Sequence, residues 1–236
     1  MTMEALRLAG EDPRNQAQEK RDAIRLMRLT HKEVDIFDPI DLRRNTYKLL
    51  SRVREPSTEE RKSLEEKGFS FFSIEEKTLT QVVVEHPDLF LKCELEYLNG
   101  LYSPNLRYAP VAMEVAFNTN QLYIPGSFDQ TQQKQLEMTE EYSKANLEKE
   151  FSDAKALMFP ATVVVQADVA CKEKIGEALF GKGFVRVLDR TADSRVVSIG
   201  RGRPEHQHYF DTSAADNSDG KVGVGVPLAV VFIRNR

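Results

Sequence analysis

The 236-residue chain contains no tryptophan, only two cysteines and only four histidines. The missing tryptophan excludes nothing. The cysteines, Cys93 and Cys171, stand far apart and form no CxxC pair, which leaves a disulfide framework or a zinc ribbon without support. No apolar run approaches the roughly 20 residues of a membrane helix. The first dozen residues carry Glu4, Glu11 and Asp12 and lack a signal-peptide core, so a reduced, cytoplasmic protein is the expectation. Net charge is −4 and the pI about 5.7, which implies no general polyanion-binding surface. GxSxG, HExxH and GxGxxG are all absent from the sequence.

What is present is enough apolar residue to build a core, 41% against 30% charged, in a length suited to one large domain or two small ones. The first part reads as helical. Ala23, Ile24, Leu26 and Met27 mark a stripe within Asn15 to Thr30. Asp38-Pro39 opens a second helix toward Val53. Ser57 and Glu60 have the spacing of a capping box for a third, which Gly68 ends. A short strand or an aromatic staple is expected over Phe69 to Ile74, and helices over Glu75 to Glu85 and Asp88 to Leu98. Turn residues over Ser103 to Pro110 then mark a boundary.

Beyond that boundary the rhythm changes. Val111 to Phe117 and Gln121 to Ile124 suggest a hairpin about Asn118-Thr119-Asn120. Asp129 is placed as the cap of a helix running to about Phe151. Ala156 to Phe159 reads as a buried strand and Thr162 to Phe180 as a helix stopped by Gly181. Strands follow at Phe184 to Leu188, Arg195 to Ile199, His206 to Phe210 and Leu228 to Ile233, the last a continuous apolar run suited to burial on both faces. The expected fold is α+β. A helical N-terminal module, residues 1–108, precedes a sheet domain, residues 109–236, a mixed sheet with helices packed on one face.

Several motifs approach known chemistry and miss it. Gly176 to Gly183 spells GxxxxGK, but Gly183 replaces the magnesium-binding hydroxyl and the context runs from helix to strand. Gly223-Val224-Gly225 lacks the third glycine of a dinucleotide loop. Setting Gly220 as the turn glycine of a calcium loop puts Ala215 and Val226 at the ligating ends. Arg201-Gly202-Arg203-Pro204 resembles the core of an AT-hook, which implies minor-groove contact. Its flanks, Gly200 and the acidic Glu205, depart from that pattern and carry no basic run, and no second copy exists.

The densest set of titrating groups is Glu205, His206, His208 and Asp211. On a strand, His206 and His208 share one face, because side chains alternate with period two. With Asp211 they make a candidate divalent-metal set, and Glu205 a candidate base or supporting residue. Two functions follow. The first is a non-catalytic binding or regulatory module for a macromolecular partner, a protein rather than nucleic acid or membrane. The second is a metal-assisted hydrolase built on those four residues. No cofactor and no oligomeric state are indicated by the sequence.

Overall fold

In the computed structural model, the residues described are 39–87, 108–180, 183–190, 196–201, 208–213 and 224–234. Residues 39–236 form one compact unit. The helices expected at Asn15 to Thr30 and Asp88 to Leu98 lie outside the described residues. Helix and sheet are both present, so the protein is α+β.

The elements run α1 (Pro39–Leu50), β1 (Val53–Arg54), α2 (Thr58–Glu66), β2 (Phe69–Ile74), α3 (Leu79–Glu85), β3 (Met113–Asn118) and α4 (Gln132–Tyr142). A π-helical segment (Ser143–Leu147), β4 (Ala154–Ala156), α5 (Ala161–Ile175), β5 (Phe184–Arg190) and β6 (Val196–Arg201) follow. The chain then forms β7 (His208–Ser213), β8 (Val224–Gly225) and β9 (Ala229–Ile233). Among the described residues no helix is long and apolar enough to cross a membrane.

Local signals set several helix ends. Ser57 caps α2 through the expected capping box with Glu60, and Thr78 and Gln81 repeat the device at α3. Gly68 follows α2 at φ +86°, a conformation glycine adopts without penalty. Two boundaries differ from the expectation. Asp129 sits at φ +57°, which no N-cap adopts, and the cap of α4 is Thr131, whose hydroxyl accepts from Lys134 N–H. Helix α5 stops at Gly176, in the left-handed conformation, rather than at Gly181.

The first sheet has the order β1-β9-β3-β2, and β4 pairs with β9; every pairing is antiparallel. Strand β9 is its centre, and all five of its residues are buried. Ala229, Val231 and Ile233 join the core that holds Val115, Phe117 and the Val163–Val165 run of α5. Val230 and Phe232 join the opposite core with Ala116, Ala154, Leu64 of α2 and Leu136 of α4. Helices therefore cover both faces of this sheet, where one covered face was expected.

The sheet also crosses the boundary expected between residues 108 and 109. Strand β2 pairs with β3 along six positions, from Phe69↔Asn118 to Ile74↔Met113, and β1 pairs with β9. The first part holds two strands, the one expected over Phe69 to Ile74 and the unexpected Val53–Arg54, and both have partners far along the chain. The expected hairpin is absent for a related reason. Both edges of β3 are occupied, by β2 and β9, so the segment after Asn120 runs instead beside residues 226–228. Its bonds are Leu228 N–H to Leu122 O at 2.8 Å and Ile124 N–H to Val226 O at 3.1 Å.

The second sheet has the order β7-β6-β5-β8, with β5 and β8 parallel and the other pairs antiparallel. Val185, Val187, Val197 and Ile199 put one of its faces into the core around α5. Helix α5 is apolar nearly all round and buried from Ala161 to Val169, as a helix with covering on several sides must be.

Candidate functional site

Helix α4 carries a stripe of buried polar residues: Gln132, Gln135, Thr139 and, one turn on, Ser143 of the π-helical segment. Steps of three and four put them on one helical face. Polar groups inside a protein cost free energy unless they are bonded, and these are. Gln132 donates to Val187 O at 2.8 Å, and Gln135 to Ser127 O at 2.7 Å and Val224 O at 3.2 Å. Gln135 Oε1 accepts from Arg186 Nε at 3.2 Å, although Arg186 is only 5% exposed. Ser143 Oγ donates to Thr139 O at 2.8 Å and accepts from Ala156 N–H at 2.9 Å. The stripe fastens α4 to β4, β5 and β8.

Beside this stripe, α1, α4, the π-helical segment and β4 enclose a cleft of about 250 Å³. Leu49, Leu136, Ala156 and Leu157 supply its apolar surface. Its charges come in pairs: Lys144 bonds Glu140 at 2.6 Å, and Lys155 bonds Glu148. The Lys144 ammonium is held above the ordinary lysine range, first by that bond to Glu140. π-Helical turns are rare and recur at functional sites, and this one forms a wall of the cleft.

A smaller cleft, about 90 Å³, lies between α3 and α5. Lys77 at its edge bonds Glu75 at 2.5 Å and Glu85 at 2.7 Å, and those bonds raise its pKa, Glu75 first. Near the second sheet, the Tyr123 hydroxyl is buried and has no hydrogen-bond partner among the described residues. Burial and then the charge of Asp168 push this phenol up to about 12.

The candidate metal set falls largely elsewhere. Glu205 and His206 lie outside the described residues, as do Gly202 to Pro204 and Asn217 to Gly220. His208 and Asp211 lie on β7, in register with Arg201 and Ser198 of β6. That register is unbroken from Val196↔Ser213 to Arg201↔His208. Positions 208 and 211, an odd step apart, therefore belong to opposite faces of the strand. Among the described residues no group of three or more His, Cys, Asp or Glu side chains is arranged to hold a metal ion.

Gly225, part of the incomplete dinucleotide motif, is in β8, and Tyr123 and Phe128 pack where its side chain would be. Gly176 ends a helix instead of opening one, which removes the phosphate-loop context. Sequence reasoning missed both the polar stripe and the cleft. The Gln and Thr spacing on α4 was the available signal, but polar residues at helical spacing mark a solvated face far more often than a buried one.

No family model matches the chain, and neither a curated protein nor a solved structure is significantly similar to it.

Proposed function

We propose that the chain is a non-catalytic binding or regulatory module and that it engages a protein partner at the cleft between α1 and the π-helical segment. The make-up of that cleft carries the reading: an apolar surface of Leu49, Leu136, Ala156 and Leu157 bordered by Glu140, Lys144, Glu148 and Lys155. Protein interfaces combine an apolar centre with a polar rim in this way. Each rim lysine already has a glutamate, so the rim carries no unopposed positive charge to attract a polyanion. That balance favours a polypeptide segment placing an apolar side chain into the cleft over nucleic acid.

The test is site-directed photocrosslinking of the whole chain in an extract of its source cells. A photoreactive side chain replaces Asn45, which is exposed and lines the cleft, and in a control replaces exposed Glu59 on α2. One protein adduct specific to position 45, lost when Lys155→Glu and Lys144→Glu are added, supports the reading. The same adducts from both positions, or none from position 45, would sink it.

The competing reading is a metal-assisted hydrolase around Glu205, His206, His208 and Asp211. The strand register weighs against convergence of His208 with Asp211. Elemental analysis of the purified protein separates the two. One equivalent of a divalent metal, lost on replacing His206 and His208 with Gln, would favour the hydrolase.

A further inference from the structure

The cleft between α1 and the π-helical segment is not uniformly apolar. Thr139 of α4 and Ser143 are buried and line it beside Leu49, Leu136, Ala156 and Leu157. A hydroxyl has one proton to give, and here both protons are already committed. Thr139 Oγ1 donates to Leu136 O at 2.7 Å, and Ser143 Oγ to Thr139 O at 2.8 Å. The Ala156 N–H is committed as well, to Ser143 Oγ at 2.9 Å. Among the described residues no donor reaches Thr139 Oγ1, whose lone pairs stay open. Resting on the reading of this cleft as a protein-docking site, we propose that its occupant is a tryptophan side chain of the partner polypeptide, with the indole N–H donated to Thr139.

Size, polarity and charge narrow the occupant in turn. An aliphatic cavity of about 150 Å³ admits benzene, so a cleft of about 250 Å³ has room for a two-ring side chain. Three leucines and an alanine give those rings apolar walls. A phenylalanine or leucine would fill the space but leave the Thr139 oxygen without a donor, which costs free energy once water is excluded. A lysine or arginine brings donors, yet Glu140 and Glu148 are already neutralised by Lys144 and Lys155, so a third cation finds no unopposed carboxylate. Serine and asparagine bring a neutral donor without a body to cover the leucines. Tryptophan joins a large apolar surface to one neutral N–H, and it is enriched among the residues that anchor protein interfaces.

The test uses the full chain and ring compounds of one shape, titrated by two-dimensional amide NMR. Benzofuran has an oxygen where indole has its N–H. Indole should bind about fivefold more tightly than benzofuran, the worth of one neutral hydrogen bond. The amides that shift should be those of α4, the π-helical segment and β4. N-acetyl-tryptophanamide should bind at least as tightly as indole, because a chain-borne side chain enters with its backbone at the mouth. Thr139→Val should reduce indole to the affinity of benzofuran, and Thr139→Ser should keep the preference. Equal binding of indole and benzofuran by the parent would overturn the inference and leave a docking cleft for another apolar side chain; that comparison stands even if Thr139→Val does not fold. A preference that survives Thr139→Val, or exclusion of N-acetyl-tryptophanamide by a chain that binds indole, would overturn it too. Binding of none of the three compounds would likewise overturn it, and the crosslink from position 45 then decides whether the docking reading falls with it.

Discussion

The carboxylate of Asp189 on β5 accepts a hydrogen bond of 2.5 Å from the backbone N–H of Ala161, the first residue of α5. Pro160, the residue before that helix, has no side chain able to cap it. A strand from the second sheet therefore supplies the negative group that a helix N-terminus favours. Asp189→Ala should destabilise the protein by about 2–3 kcal/mol, because it leaves the buried amide without this acceptor, and Asp189→Asn by about half of that. Urea unfolding of the two variants measures both. Equal losses would show that the charge at this helix end contributes nothing beyond the hydrogen bond.

Ser143 bridges the π-helical segment and β4 with both functions of one hydroxyl. Ser143→Ala should cost about 1–3 kcal/mol through the stranded Ala156 amide. Ser73→Ala, at an exposed position on β2, should cost about 0.5 kcal/mol or less. Denaturation midpoints of the two variants give the comparison, and indistinguishable midpoints would count against the bridge.

The ring of Phe184 lies over Gly200, its partner across β5 and β6. A Cβ added at Gly200 would stand 2.6 Å from the ring, closer than such contacts allow. Gly200→Ala should therefore lower stability by about 1–3 kcal/mol. Combining it with Phe184→Leu, which trims the ring, should recover part of the loss. No recovery would mean that the glycine answers to something other than the ring.

Two phenols give a pH dependence at the alkaline end. Tyr123 is pushed up to about 12 by burial and then by Asp168, and Tyr108 to about 12 by burial and then by Asp189. In an unfolded chain tyrosine titrates near about 10. The folded state thus holds these protons more tightly. Their contribution is complete below about pH 10 and is lost as pH rises toward about 12. Phenolate absorbance should show a late-titrating class of tyrosines, reduced by Tyr123→Phe. Urea midpoints should fall from about pH 9 to about pH 11, and a flat profile would contradict the shifts.

Strand β9 gives a prediction about truncation. Ending the chain at Pro227 removes the strand to which β1, β3 and β4 all pair. Each lost buried side chain is worth roughly 1.5–3 kcal/mol, so no cooperative unfolding transition should remain. A fragment comprising residues 109–236 should fail as well, because it lacks β1 and β2 and uncovers one edge of β3. Circular dichroism during heating checks both, and a cooperative 109–236 fragment would restore the boundary expected from the sequence.

The sequence by itself determined what depends on near neighbours or on composition. The Ser57–Glu60 capping box, the strand over Phe69 to Ile74, the helical nature of the Val163 region and the buried character of Val230 to Ile233 were all legible. Each rests on spacing within a few residues. Tertiary structure alone decided which strands pair: β2 with β3 and β1 with β9 join segments far apart in the chain, and periodicity carries no record of a partner. It likewise turned Gln132 and Gln135 from an apparent solvated face into an interior one, because their acceptors are Val187, Ser127 and Val224 on other elements. The same holds for His208 and Asp211. Three residues apart in the sequence, positions 208 and 211 fall on opposite faces of β7 because the register with β6 runs unbroken.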